Sequence, residues 1–173
     1  MKARRELGER GAVADNQDSL SHIELAEGNP ANALAQATAA ASEYEAQERT
    51  AARARTLTLI AHAYADLGRM ADAGKALKDA RQLLAGVEDP EVAVYLELEE
   101  ARLGGNLAAL EKLIARTARE KMVDANFDAR LELAKAELRA GRRESALGRA
   151  AALAKDAEAR GYGLMARLAR ELK

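Results

Sequence analysis

The chain has 173 residues, and its 27 Lys and Arg nearly balance 28 Asp and Glu, which gives a formal net charge of −1. It has no cysteine, which excludes disulfide-rich secreted domains and Cys-based zinc sites. The balanced charge argues against a general nucleic-acid or anionic-membrane binder. Alanine and leucine dominate the apolar residues, and only 3% of residues are aromatic; this composition predicts an all-α protein.

In chain order, the first predicted segment is 1–12, which we interpret as the end of an earlier helix followed by a linker. We therefore expect this chain to be the C-terminal part of a longer protein. The first residues of the chain are basic, but no apolar stretch follows them. The start of the chain is therefore not typical of a signal peptide. No apolar run approaches the roughly 20 residues that cross a bilayer. We expect a cytoplasmic protein that does not enter a membrane.

The remaining residues predict four pairs of helices and one last helix. Asn29-Pro30 and Asp89-Pro90 are typical of an N-cap followed by the first helical turn, and Asn106 and Asp124 are further predicted N-caps. The four pairs span about 13–47, 50–86, 89–120 and 124–160. The predicted helices are 13–27, 30–47, 50–67, 70–86, 89–103, 106–120, 124–140, 143–160 and, after Gly161, 162–172.

A repeat underlies these pairs. Gly28, Gly68, Gly105 and Gly141 follow one another at intervals of 40, 37 and 36 residues. We expect each to occupy a positive-φ or cramped position between two antiparallel helices. Small or apolar residues recur at three fixed distances from these glycines: Ser21, Ala61, Leu98 and Ala134 seven residues before; Ala33, Ala73, Leu110 and Ala146 five after; Ala40, Ala80, Thr117 and Leu153 twelve after.

The second pair carries this pattern most fully, with Ile60-Ala61, Tyr64, Leu67-Gly68, Ala73, Leu77 and Ala80 in order. It resembles the tetratricopeptide repeat (TPR) family, in particular the extended-helix arrays of bacterial signalling kinases and transcription regulators. The third pair departs from the family pattern at Leu110 and Thr117, and the usual Trp is absent throughout. The resemblance implies a right-handed α-solenoid of TPR-like helical hairpins with a C-terminal capping helix. A long coiled-coil bundle is the structural alternative, but the regular glycines and two prolines oppose a sustained heptad.

In a TPR-like array the first helix of each pair lines a concave groove. Registration on the glycines gives the expected partner-binding groove residues, which run from acidic to basic along the chain. We expect the groove to bind a peptide or helix of mixed charge. The principal candidates are His22, Arg55, His62, Tyr95, Glu99, Arg102, Lys135 and Arg139. The further groove-facing positions are Asp15, Asp18, Thr58, Asp66, Asp128 and Leu131.

The sequence has no catalytic motif, because a Cys nucleophile, a phosphate-binding glycine loop and kinase signatures are all missing. We expect no enzyme activity and no cofactor. His22 and His62 occupy the same position in successive pairs, 40 residues apart. A metal site would need further ligands and shorter separations, so we interpret these histidines as polar groove lining. A metal protein or enzyme that uses both histidines is the alternative.

These observations predict a non-enzymatic protein–protein interaction module, the docking or sensor array of a larger bacterial regulatory protein. A stand-alone scaffold or assembly factor that homodimerises through exposed Ala and Leu faces is the alternative. A basic stripe in the fourth pair includes Arg142, Arg143, Arg149, Lys155 and Arg160. Nucleic-acid binding would require a higher net charge and stacking aromatic residues, so we expect no nucleic-acid partner.

Overall fold

The computed structural model describes the backbone of residues 2–173 and the side chains of residues 9–173. Within that range the protein is all-helical, and 83% of the chain is α-helix. The described helices are α1 (Lys2–Ala26), α2 (Pro30–Ala46), α3 (Thr50–Asp66), α4 (Met70–Leu84), α5 (Pro90–Leu103), α6 (Leu107–Arg119), α7 (Val123–Arg139), α8 (Arg143–Ala159) and α9 (Gly163–Glu171). From α2 onward the predicted boundaries agree with these to within about two residues.

Two compact units divide the chain, Met1–Glu99 and Glu100–Lys173. In the first unit α1 packs on α2, α2 on α3 and α3 on α4, while α1 also contacts α3. In the second unit α6 packs on α7, α7 on α8 and α8 on α9. Within each unit, these successive helices are thus neighbours in space. Across the described part of the chain, none of the helices has the length and apolarity that a membrane crossing requires.

The predicted glycines lie at the helix–helix turns. Gly28, Gly68, Gly105 and Gly141 have φ between +59° and +78°, and Gly161 has φ +81°. In each turn the next residue donates its N–H to a carbonyl five positions back, as Arg142 does to Glu137 over 2.8 Å. This 6→1 bond is typical of a Schellman helix end, which favours glycine because the left-handed region is strained for other residues. The predicted backbone role of these glycines is confirmed.

The repeat register is confirmed by burial. All twelve residues at the three fixed distances from the glycines are at most 4% exposed. Most are alanine, and small side chains let the helix axes approach closely. Of the larger members, Leu110, Thr117 and Leu153 are completely buried and Leu98 is 4% exposed. The sequence period therefore reflects one recurring packing position on each side of the turn.

Each unit also contains one aromatic side chain in its core. In the first unit Tyr44, 3% exposed, contacts Ala14 and Ala40, and its hydroxyl donates to Asp15 Oδ1 over 2.8 Å. Burial, followed by this hydrogen bond, raises the pKa of Tyr44. Arg49 stacks on the Tyr44 ring at 4.6 Å and pairs with Asp15 at 2.9 Å. The cluster therefore joins α1, α2 and the start of α3.

In the second unit Phe127 is the centre of the core. It is 2% exposed and packs with Leu131 of α7, Leu153 of α8 and Ala166 of α9. Tyr162 meets its ring edge-on, with ring centroids 5.0 Å apart. Met165, Leu168 and Leu172 pack against the same cluster, whereas Leu164 is 44% exposed. The apolar stripe predicted for the last helix is thus buried along most of its length.

The start of the chain differs from the prediction. We expected a helix remnant and linker over 1–12 and a first helix from residue 13, but α1 is continuous from Lys2 to Ala26; Met1 lies outside the described residues. Arg, Glu and Ala between its glycines are strong helix formers, and a glycine costs a helix only about 1 kcal/mol. Gly11 is buried, and its Cα lies close to Gln47, where a Cβ would approach Oε1 to 3.2 Å.

The predicted N-cap positions are confirmed for Asn29 and differ for Asp124. Asn29 is in the N-cap position of α2 but makes no side-chain capping bond, and Asp124 lies inside the first turn of α7 rather than before it. The other two are confirmed by geometry. Asn106 accepts from the Ala109 N–H at 3.1 Å, and Asp89 accepts from the Val92 N–H at 3.0 Å.

Candidate functional site

The candidate site is a row of polar side chains on α1, α3 and α5 of the first unit. Its members include His22 from α1, Arg55 and His62 from α3, and Tyr95 and Glu99 from α5. All five are groove residues predicted from the sequence. We call this set the polar row.

Arg55 is the centre of the row. Its Nη2 lies 3.4 Å from His22 Nε2, its Nη1 lies 4.0 Å from Asp18 Oδ2, and its guanidinium stacks over the Tyr95 ring at 5.6 Å. The Arg55 Nε is buried and makes no hydrogen bond. Because guanidinium can donate five N–H bonds, Arg55 uses only part of its capacity.

His22 is held in its neutral form. Burial, followed by the positive charge of Arg55, lowers the pKa of His22 to about 4, although Asp18 and Glu99 act in the opposite direction. A neutral imidazole leaves Nε2 free to accept from Arg55. The row therefore has one fixed cation, Arg55, beside an uncharged ring at neutral pH.

His62 lies between two carboxylates. Its Nδ1 is 2.8 Å from Glu99 Oε1, and its Nε2 is 3.4 Å from Asp66 Oδ2 one turn further along α3. Glu99 is 7% exposed, so this pair connects α3 to α5 in a largely buried setting. No group of three or more His, Asp or Glu side chains among the described residues is arranged to hold a metal ion.

The base of the row contains a contact that the sequence analysis missed. Asp18, 6% exposed, accepts a hydrogen bond from Thr56 Oγ1 over 2.5 Å, and Thr56 is completely buried. Thr56 lies at a core position of α3, where the helical pattern predicts only packing. Its neighbour Thr58, predicted to face the groove, is instead 3% exposed and donates back to the Arg55 carbonyl at 2.6 Å.

A cleft of about 430 Å³ opens beside Arg55. It is bounded by the first turn of α3 and by the start of α5. Its charged lining is mixed, since Arg49 and Arg55 face Asp89 and Glu91. The cleft is large enough for one or two side chains of a ligand.

The other three predicted groove residues belong to the second unit. Arg102 is 9% exposed on α5, Lys135 donates from Nζ to Glu132 Oε1 over 2.7 Å on α7, and Arg139 is exposed at the end of α7. The further candidate Leu131 was wrong as a groove residue, because it is buried in the Phe127 cluster. Its apolar side chain faces the core rather than a polar surface.

Sequence reasoning also missed the buried glutamates of α7. Glu137 is 3% exposed, and its Oε1 accepts from Ser145 at 3.0 Å and from Arg149 Nε at 3.1 Å. Arg160, also of the basic stripe, pairs with Asp156 at 2.9 Å. Arg149 and Arg160 are therefore neutralised by carboxylates of their own unit. The i,i+4 spacing of Asp156 and Arg160 could have indicated their pair, whereas nothing in the linear spacing indicates the Arg149 pair with Glu137.

Comparison with known proteins gives no relatives: the chain matches no protein-family model, no curated protein and no solved structure.

Proposed function

We propose that this chain is a non-enzymatic protein–protein interaction module built from TPR-like helical hairpins in an α-solenoid with a capping helix. Its polar row binds a peptide or helix of a partner protein. The recurring glycine turns, the buried small residues in register and the packing of consecutive helices support this proposal. The bacterial regulatory setting and the cytoplasmic location remain part of the same proposal.

The observation that carries the proposal is the polar row itself. Three alternate helices, α1, α3 and α5, contribute adjacent polar side chains, as the inner helices of a hairpin array would. Arg55 keeps a buried donor without a partner next to an aromatic ring and an open cleft. Arginine and tyrosine beside a pocket are the residue types that contribute most binding energy in protein interfaces.

The mixed lining of the cleft indicates the chemistry of the partner. Arg49 and Arg55 suit a carboxylate, while Asp89 and Glu91 suit a basic side chain. A short segment that alternates acidic and basic residues would satisfy both. We therefore propose a mixed-charge peptide as the ligand class.

The test is selection of peptides from a displayed random library on the immobilised full-length chain. We expect selected peptides to carry acidic and basic residues, and Arg55→Ala or Tyr95→Ala to weaken their binding at least about tenfold. Arg119→Ala is the matched control, since this arginine is exposed on α6, and it should leave binding unchanged. Circular dichroism confirms that each variant is folded. Failure to select any peptide, or equal binding by Arg55→Ala, would contradict the proposal.

A further inference from the structure

The imidazole ring of His62 has a carboxylate at each of its two nitrogens. Nδ1 lies 2.8 Å from Glu99 Oε1 on α5, and Nε2 lies 3.4 Å from Asp66 Oδ2 on α3, the helix of His62 itself. The His62 side chain is 21% exposed and Glu99 is 7% exposed, so the contact with α5 is largely shielded from water. An ionised carboxylate only accepts hydrogen bonds. Both ring nitrogens therefore face acceptors.

The protonation state of the ring decides whether both contacts are favourable. A neutral imidazole has a single N–H, so one nitrogen would direct its lone pair at a carboxylate oxygen. The imidazolium donates from both nitrogens, and its positive charge compensates the negative charge of the carboxylates beside it. The two contacts of His62 therefore fit the charged ring, in which both nitrogens carry a proton.

The groups that α1 adds nearby do not oppose this charge. Burial, followed by the positive charge of Arg55, lowers the pKa of His22 to about 4, so the second ring of the polar row is neutral at pH 7. The charged residue of α1 in this part of the row is Asp18, a carboxylate that lies 4.0 Å from Arg55 Nη1. The side of the row formed by α1 thus contributes a neutral ring and an anion.

The charges on α3 and α5 also fit a protonated His62. Arg55 precedes it by seven residues on α3, roughly 10 Å along the helix, whereas both carboxylates contact the ring. On the face of α5 that includes Glu99, Tyr95 lies one turn before it and Arg102 one turn after it. This spacing of Arg102 favours an ionised Glu99. The buried side chains of α2 and α4, which also pack on α3, are uncharged.

We propose that His62 is a pH-sensitive clamp, whose imidazolium joins α3 to α5 at neutral pH and whose deprotonation in alkaline solution releases that contact. The ring proton passes to solvent, and a lone pair then faces one of the carboxylates. The contact is complete below about pH 6.5, where an ordinary histidine is protonated, and is lost as the pH rises. Tyr95, one turn before Glu99, stacks on Arg55, so release of α5 also loosens this part of the polar row.

The clamp is a property of the unliganded chain, so it can be tested whether or not the polar row binds a peptide. The first test observes the two ring nitrogens of His62 by ¹⁵N NMR of the full-length chain. His22→Gln leaves His62 as the single histidine. We expect two protonated nitrogens at pH 7 and loss of one proton only at higher pH. A ring with one unprotonated nitrogen at pH 7 would overturn the proposal.

Substitution of each carboxylate identifies the groups that hold the proton. In Glu99→Gln the His62 ring should lose its second proton at a pH at least about one unit lower, because the amide cannot compensate the charge. Asp66→Asn, on the more exposed side of the ring, should give a smaller shift in the same direction. Asp72→Asn is the matched control, since this carboxylate of α4 pairs with Arg69, and it should leave the titration unchanged. Unchanged titration in both Glu99→Gln and Asp66→Asn contradicts the proposal.

The last test measures whether α5 responds to the ring. Amide hydrogen exchange in α5, corrected for its intrinsic pH dependence, should become at least about threefold faster between pH 7 and pH 9. In His62→Gln the exchange in α5 should be fast at both pH values, and α8 provides the internal reference. Circular dichroism establishes that each variant is folded. Equal protection of α5 at the two pH values in the wild type would refute the clamp.

Discussion

His22 shows how a single residue in the row depends on its neighbours. Its ring is partly buried on α1, and the positively charged guanidinium of Arg55 lies 3.4 Å from its Nε2. Desolvation and a like charge both disfavour protonation of an imidazole. The carboxylates of Asp18 and Glu99 reduce this effect without reversing it. The histidine is consequently a neutral acceptor in a row whose other members are charged or aromatic.

This environment predicts acid sensitivity. The pKa of His22 is about 4 in the folded chain, whereas an unfolded histidine has a pKa of about 6.5. Below about pH 6.5 the unfolded chain therefore binds a proton that the folded chain does not, and the free energy of unfolding falls as the pH decreases toward 4. We expect a loss of about 2–3 kcal/mol between pH 7 and pH 4.5 from this residue, measured by urea unfolding.

The control for that measurement is His22→Gln, which keeps a polar side chain but cannot titrate. Its free energy of unfolding should vary less between the two pH values than that of the wild type. If both proteins show the same pH dependence, then His22 is not the group responsible.

At the scale of single residues, the sequence predicted which residues of α1, α3 and α5 make up the polar row. It did not predict which of them pair with one another. The glycine register located His22, Arg55, His62, Tyr95 and Glu99, because the helical period determines which side of a helix each residue occupies. Contacts across helices depend on side-chain rotamers and on the offset between helices. Neither the Thr56 to Asp18 bond nor the Glu99 partner of His62 could be obtained from spacing alone.

At the scale of the element, the turns are the most regular feature. Five of them place glycine at positive φ, but the turns after α2 and α6 use Glu48, with φ +55°, and Lys121, with φ +59°. The turn geometry is nevertheless the same, since Arg49 and Met122 form the equivalent 6→1 bonds at 2.9 Å. Those two turns therefore carry backbone strain that glycine would relieve.

The turns predict opposite effects for two substitutions. Lys121→Gly should raise the free energy of unfolding by up to about 1 kcal/mol, and Gly141→Ala should lower it by about 1–2 kcal/mol, because a Cβ disfavours the left-handed region. No atom lies within 4 Å of a Cβ built on Gly141, so its effect is conformational and not steric. Chemical denaturation of the three proteins measures both changes. A stabilising Gly141→Ala would contradict the turn geometry.

Helix boundaries could be predicted at the turns between helices, but not at the start of α1, where a single helix continues through the segment predicted as a linker. Eight of the helices in the described range begin close to their predicted positions, and glycine or proline marks the turn before six of them. The start of α1 was wrong because the segment 1–12, which contains Gly11, was interpreted as a helix remnant and a linker. A buried glycine inside a helix can equally permit close packing, as Gly11 does against Gln47, and local sequence does not distinguish the two roles.

For the whole molecule the main quantity is helix content. With 83% of the chain in helices, the far-UV circular dichroism spectrum should show the double minimum of a strongly helical protein, with a mean residue ellipticity near that of about 80% helix. A content near 50% would contradict the fold.

The composition of the core has a consequence for how this protein tolerates sequence change. Most of its buried apolar positions are alanine, a side chain that loses no rotamer freedom on folding and leaves little cavity when shortened. Truncating mutations, the usual means of damaging a core, therefore have few targets. Substitution of a buried alanine by a larger residue is the change that destabilises this core, because an added methyl group between closely spaced helices must displace the backbone. Inherited variation should accordingly exchange alanine with glycine or serine at these positions and avoid valine or leucine.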